Sequence, residues 1–371
     1  MRSPSTFRSS IAYPDHAAVV RTRFSGTGVS GRMIGVGLIG YGLGGRAFHA
    51  PYVAASPALT LRGIVSRDPA KVHADFPEVR VVPEVSTLLA DPAIDLVIVS
   101  SPDALHVAHA LAALAADKHV LVDKPFATSV DDARRLVEAS ERSGRLLTVF
   151  HNRRWDADFR TLQALLADGR LGAVATMESR FDRWRPAPAD TWKEARPGGS
   201  WIDLGPHLVD QVLVLFGRPL AISADIATLR AGAQGPDYFQ ATLRYADKRV
   251  TVHSSKLVAA HDLRFAVHGT GGSWIKYGID PQEAATVAGR KPEGDAWGHD
   301  PVDGLLTPAD LGKAPTRIPN RNGDYRLFWS ALAAAIRGEG PNPVPPREAL
   351  AVMDVLDAGA RSAATRREAL L

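Results

Sequence analysis

The chain has 371 residues, 45% apolar and 23% charged, the profile of an ordinary globular protein long enough to build two domains. It contains no cysteine, which excludes disulfides, thiolate zinc sites and cysteine nucleophiles. The formal charge of +4 is small and dispersed and gives no footing for a nucleic-acid partner. The richest apolar stretch, residues 104–116, is short and carries His106 and His109, so no membrane span is expected.

Residues 1–32 read differently from the rest. They hold five arginines among Ser, Thr and Gly, one acid (Asp15) and no sustained periodicity. The composition allows a transit peptide, but there is no apolar core or twin arginine of an export signal. Met33 stands directly before the first apolar run, so the simpler expectation is a disordered extension on a cytoplasmic enzyme.

From Met33 onward the chain is organised around one turn. Ile34, Val36, Leu38 and Ile39 form a buried-strand run that breaks at Gly40, Gly42 and Gly45 in the spacing G-x-G-x-x-G. The first glycine permits the tight turn, the second lets the backbone approach a pyrophosphate, and the third lets helix pack on strand. Taken alone the spacing is a weak signal. A strand before it, a helix after it and a second strand-like run at residues 59–65 supply the βαβ context.

Strand-like runs at 79–82, 95–100, 119–122 and 145–150 alternate with helix-like runs at 69–75, 85–90, 104–116 and 130–143. Such alternation predicts a doubly wound parallel sheet, a Rossmann domain over residues 33–151, with ligands beyond the carboxyl ends of the strands. Beyond Phe150 the pattern changes. Residues 156–167 read as a helix and 174–184 as a long strand, then several strands follow without intervening helices. This predicts an α+β domain over 152–371 with a large, mostly antiparallel open sheet. Residues 285–320, rich in Pro and Gly, are expected to form a surface excursion, and helices are expected over 325–337 and 347–360.

Three segments together carry a family resemblance: the 40–45 glycine turn, Asp123-Lys124-Pro125, and the run from Gly198 to His207. They resemble the signatures of the Gfo/Idh/MocA family of dehydrogenases and reductases acting on sugars, inositols and related polyols. Through residues 42–51 and 150–156 the chain is most similar to the NADP-dependent scyllo-inositol dehydrogenase branch. The family usually has Glu where Asp123 stands, a change that keeps the charge.

The resemblance implies that Lys124, Asp203 and His207 carry the chemistry. Histidine, with an ordinary pKa of about 6.5, suits removal of an alcohol proton near neutrality. Lysine charge favours the developing alkoxide. Asp203 and His207 are four residues apart and would share one helix face, but Pro206 between them must open or kink a helix.

The cofactor contacts implied are Gly40, Tyr41, Gly42, Leu43 and Gly45 in the first loop, then Ser66 and Arg67, then Ser101, Pro102 and His106, and finally Asp123 and Lys124. Ser66 stands where an acid would bind the ribose hydroxyls of NAD. Ser66 and Arg67 would accept a 2′-phosphate, so NADP is expected over NAD. Asn152, Arg154, Trp155 and Arg183 are candidates to line the substrate cleft. No metal is expected, because no cluster has ligand spacing. The function expected is hydride transfer between NADP and a cyclic polyol or sugar. Alternatives on the same scaffold are a keto- or anhydro-sugar reductase, a dihydrodiol-type dehydrogenase, or a non-catalytic regulator. A homodimer or homotetramer is expected, from an open sheet face with few helices to cover it.

Overall fold

A computed structural model of the protein describes residues 31–189, 194–260, 262–310 and 312–371. Residues 1–30 of the expected extension lie outside the described residues. Arg32 is described, and its guanidinium forks onto the Asp95 carboxylate at 2.8 and 2.5 Å.

The first half alternates as the pattern predicts. Strand β1 (Ile34–Ile39) is followed by a π-helical turn (Gly44–His49) that continues into α1 (Ala50–Ala55). Then come β2 (Leu59–Val65), α2 (Pro69–Asp75), β3 (Arg80–Val82), α3 (Val85–Leu89), β4 (Leu96–Val99), α4 (His106–Ala115), β5 (His119–Val122), α5 (Val130–Ser143) and β6 (Leu147–Val149). The strands form one parallel sheet in the order β3-β2-β1-β4-β5-β6. β1, β4 and β5 are buried along their whole length, as strands covered on both faces must be. The order reverses at β1, and the crevice beyond the ends of β1 and β4 is where such sheets bind ligands.

The second half builds an α+β domain. Helix α6 (Ala157–Ala167) leads to β7 (Val174–Arg180), and α7 (Gly199–Phe216) is followed by β8 (Ala221–Ala227), β9 (Tyr238–Arg244), β10 (Arg249–Ser255), β11 (Leu263–Gly269) and β12 (Gly272–Tyr277). After α8 (Gln282–Val287), β13 (Gly304–Pro308) and β14 (Thr316–Ile318) complete one edge. Helices α9 (Arg326–Ile336) and α10 (Pro346–Thr365) and the two-residue β15 (Ala369–Leu370) close the chain. The sheet order is β14-β13-β12-β11-β7-β10-β9-β8-β15, antiparallel except for the β7–β10 pair. Its inner face (Ile222, Leu243, Val250, Val252) is buried under α7 and α10.

Two local readings are corrected. β7 ends at Arg180, short of Trp184, although the backbone continues extended and Phe181, Arg183 and Arg185 donate to the carbonyls of His253, Ser255 and Lys256. The 285–320 stretch is not all excursion, since it supplies β13 and the edge strand β14, both short enough to hide among prolines and glycines. The outer sheet face carries Glu178, Ser223, Asp225, Gln240, Thr242 and Thr251 over its middle and Ala266, Ile275 and Leu305 toward the β13 side.

Candidate functional site

The glycine turn is packed so tightly that two of its glycines cannot be replaced without displacing backbone. Gly40 has φ +99°, and a Cβ there would meet the Ser100 carbonyl at 2.5 Å. A Cβ on Gly45 would sit 2.2 Å from the Gly40 carbonyl. Gly42 is different: a Cβ there meets nothing within 4 Å. The turn is thus closed against the sheet and open toward the crevice, the shape a dinucleotide pyrophosphate requires. The neighbouring Tyr41 is buried and its hydroxyl donates to Asp75 at 2.8 Å, while Leu43 is 50% exposed at the rim.

At the end of β2, Ser66 Oγ accepts from the Asp68 backbone N–H at 3.1 Å, and Asp68 Oδ1 accepts from the Lys71 N–H at 3.0 Å. Asp68 is therefore the N-cap of α2. Arg67 is exposed, with no side-chain partner among the described residues.

The loops after β4 and β5 are tied behind this turn. His106, buried, places Nδ1 2.8 Å from the Pro125 carbonyl and Nε2 2.9 Å from the Ser101 carbonyl. It therefore clamps the two loops together, while Pro102 leads into the 3₁₀ turn that starts α4. Asp123 accepts from Ser100 Oγ at 3.1 Å and from the Lys124 N–H at 2.8 Å, and lies 3.2 Å from His49 Nε2. Burial pushes its pKa up, but His49, His106 and Lys124 more than offset this and hold the carboxylate well below its ordinary range. The Lys124–Pro125 peptide is cis.

Helix α7 supplies the other wall. It runs unbroken through Gly205 and Pro206, so Asp203 and His207 do stand one turn apart on one face. Lys124 Nζ donates to Asp203 Oδ1 at 2.8 Å and to the Asp203 carbonyl at 2.9 Å. Arg196 bridges Asp203 Oδ1 (3.2 Å) and Asp103 (2.9 Å). His207 is 6% exposed and its Nδ1 is buried without a partner. Burial first, then Lys124, Arg153, His151 and Arg264, push its pKa well below the ordinary 6.5. The site thus places a neutral imidazole and an ammonium at the end of the dinucleotide crevice, a pairing suited to moving a hydroxyl proton.

Residues 34–151 match the family model described as oxidoreductase family, NAD-binding Rossmann fold, and residues 163–371 match that of its C-terminal alpha/beta domain. The chain belongs to the Gfo/Idh/MocA oxidoreductase family. It is 46% identical to the uncharacterized oxidoreductase YdgJ of Escherichia coli, over 90% of this chain and 97% of that one. It is 38% identical to the scyllo-inositol 2-dehydrogenase (NADP(+)) IolW of Bacillus subtilis, over 91% of this chain and 96% of that one. The solved structure of an oxidoreductase from Yersinia pestis superposes with a TM-score of 0.90 at 44% identity, covering 93% and 99% of the two chains. The Gfo/Idh/MocA Rossmann domain serves a nicotinamide dinucleotide, and the glycine turn described above fits one.

Within this Gfo/Idh/MocA scaffold, two of the residues expected to line the cleft are engaged elsewhere. Arg154 forks onto Asp210 at 2.9 and 2.6 Å and reaches Glu348 at 2.7 Å, which makes it a structural tie to α7 and α10. Trp155 packs its ring edge-on against Phe328, with 5.4 Å between centroids, in a core cluster. Asn152 is 5% exposed and makes no side-chain hydrogen bond among the described residues. Arg183 lies against the face of Phe181, 4.4 Å from its centroid.

Other residues at the site were not singled out by sequence. Arg153 pairs with Asp156 at 3.2 Å and with Glu283. His151 is 2% exposed with neither ring nitrogen partnered, and burial pushes its pKa down. His49 reaches Asp123 from the turn of π-helix. The sequence signal available was adjacency alone: Arg153 and His151 flank Asn152, and Arg196 stands seven residues before Asp203. Among the described residues no group of three or more His, Asp or Glu could hold a metal ion, and no helix is long and apolar enough to cross a membrane.

Proposed function

We propose that the protein is an NADP-dependent dehydrogenase or reductase of a cyclic polyol or sugar, with Lys124, Asp203 and His207 as its catalytic residues. The observation that carries this reading is the 2.8 Å contact between Lys124 Nζ and Asp203, one helical turn from a buried, neutral His207. In oxidation His207 takes the hydroxyl proton; in reduction the imidazolium returns it. Lys124 stabilises the oxygen as it gains negative charge. Asp203 holds Lys124 in place and offers an acceptor to a neighbouring hydroxyl. A nicotinamide bound in the crevice supplies the hydride chemistry, while the protein contributes geometry and electrostatics.

NADP over NAD is supported by the second loop. Asp68 Oδ1 is turned onto the N-terminus of α2, and Ser66 stands where an acid would accept ribose hydroxyls and repel a 2′-phosphate. Ser66 and the unpaired Arg67 remain to receive it. A cyclic polyol is supported by the likeness to a scyllo-inositol 2-dehydrogenase over nearly the full chain. The test is a panel of inositols, aldoses and their ketones, assayed with NADP(H) and NAD(H) at 340 nm. Turnover of at least one polyol with preference for NADP is expected. No turnover across the panel would favour a non-catalytic regulator.

A further inference from the structure

Three guanidinium groups crowd one ring. Arg183 lies 4.4 Å from the Phe181 centroid, Arg153 4.5 Å and Arg264 5.6 Å. Two of them are neutralised. Arg153 pairs with Asp156 and Glu283, and Arg264 with Asp158 at 3.1 Å. Arg183 has no such partner. Its Nη1 donates to the carbonyl of Asp182 at 3.3 Å, and no carboxylate pairs with it among the described residues.

This costs stability, because a cation withdrawn from water needs a counter-charge. Burial, and then Arg153, Arg185 and Arg264 against the single opposing field of Glu283, push its pKa down to about 10. Arginine otherwise stays protonated under all ordinary conditions. A fold does not gain from such a group unless something else brings the missing charge.

The group opens onto a shallow cleft of about 490 Å³ lined by Asp182, Arg183, Trp184, Val258, Asp262 and Ile279, in which the Asp182 carboxylate is taken up by His253 and Arg180. Trp184 is 57% exposed there and offers a flat apolar face. Arg183 and Arg153 share the Phe181 ring, and the Arg153 carbonyl accepts from Gln211 Nε2, one turn beyond His207 on α7, so Arg183 stands on the side of the domain that faces the proposed proton-transfer site.

We propose that the substrate carries a carboxylate and that Arg183 binds it, at the end of the molecule away from the reacting carbon. The proposal rests on the polyol dehydrogenase reading above and narrows it to acidic polyols or sugars. Guanidinium and carboxylate match as planar forks, and most of the Arg183 donors are unused. Asp262, exposed on the same cleft, would repel a phosphate dianion more strongly than a monoanion.

The test compares native protein with Arg183→Gln and Arg183→Lys. Initial rates of NADP reduction are measured on D-glucuronate and D-galacturonate, on D-glucose and D-galactose, and on D-glucose 6-phosphate. Binding of each to the NADPH complex is followed by calorimetry. The uronates are expected to exceed the aldoses in kcat/KM. Arg183→Gln is expected to lose about 10- to 100-fold on the uronates, mainly in KM, and little on the aldoses. Arg183→Lys should recover part of the loss. The free Arg183→Gln protein should melt no lower than native, because it loses an unpaired cation; a purely structural arginine would lower the Tm. Equal rates on acids and neutrals, equal losses on both, or preference for the phosphate would overturn the proposal. If nothing is turned over, the dehydrogenase reading fails separately, and calorimetry still decides: uronate heat lost in Arg183→Gln supports the site, and its absence from native protein overturns it.

Discussion

Lys124 and Asp203 meet at 2.8 Å from opposite halves of the chain, one at the end of β5 and the other on α7. That contact ties Lys124, proposed above as catalytic, to α7. Both residues act on one hydroxyl in the proposed mechanism, so their effects should not multiply. Lys124→Ala and Asp203→Asn are each expected to lower turnover about 10²- to 10⁴-fold, with the double variant little worse than the more damaging single one. Steady-state kinetics on the three proteins decides this. Fully multiplicative losses would mean that the two residues act independently.

The NADP assignment predicts an asymmetric variant. Arg67→Ala should weaken NADP by about 10- to 100-fold, the worth of one charge-assisted contact, and leave NAD nearly unchanged. Fluorescence titration of NADPH and NADH measures both. Equal losses, or a native preference for NADH, would reassign the loop.

Arg154 gives a test of a structural role against a binding one. It is 12% exposed over an Asp210 that is 2% exposed, and burial is outweighed by Asp210 and Glu348, which raise its pKa. Arg154→Gln strands a buried carboxylate and should cost about 3–5 kcal/mol in urea unfolding. Any enzyme that remains folded should keep the native KM for its substrate. A large rise in KM with unchanged stability would return Arg154 to the substrate cleft.

These assignments show where sequence reading works and where it stops. The glycine turn was legible because its meaning is local: Gly40 and Gly45 face backbone a few residues or one strand away. The Asp203–His207 pairing was ambiguous because the proline rule counts a cost of about 3 kcal/mol and cannot see the compensating burial. Trp201, Leu208, Val209 and Val212 are all buried along α7, and that apolar face holds the helix through Pro206. The ties of Arg154 were not legible because its partners are 56 and 194 residues away, and nothing in a basic residue beside a tryptophan announces them. Arg153 was passed over because its partner Glu283 is 130 residues away, and His151 because its burial comes from the fold and not from its neighbours in sequence.

Acid should destabilise the protein before its carboxylates titrate. His119 Nδ1 accepts the Leu146 N–H at 3.1 Å, and burial followed by Arg145 pushes its pKa down to about 4, against Asp95 and Asp117. The folded pKa lies below the unfolded value of about 6.5, so the unfolded chain takes up the proton first. Stability is therefore complete above about pH 6.5 and falls as the pH drops toward 4, by about 3 kcal/mol from this residue. His151 and His207, also pushed down, add in the same direction. Urea unfolding at pH 7 and pH 4.5 should show the loss in native protein and a smaller one in His119→Gln. A pH-independent stability across that window would contradict the buried neutral state.

The same depression of His207 sets the pH dependence of the reaction. A base works only when unprotonated, and burial together with Lys124 and Arg153 keeps this imidazole neutral to well below 6.5. For alcohol oxidation, the rise of kcat/KM with pH should therefore be centred below 6.5, and activity should already be at its plateau at pH 7 as far as this group is concerned. His207→Ala should fall about 10²- to 10⁴-fold and lose that limb. NADP affinity should hardly change, because the pyrophosphate cradle at Gly40, Gly42 and Gly45 belongs to the other sheet. His207→Gln separates shape from proton transfer: it keeps a polar side chain of similar reach but cannot accept the proton, so it should resemble the alanine variant. Near-native turnover in either variant, or an acid limb that persists in both, would remove His207 from the proton path.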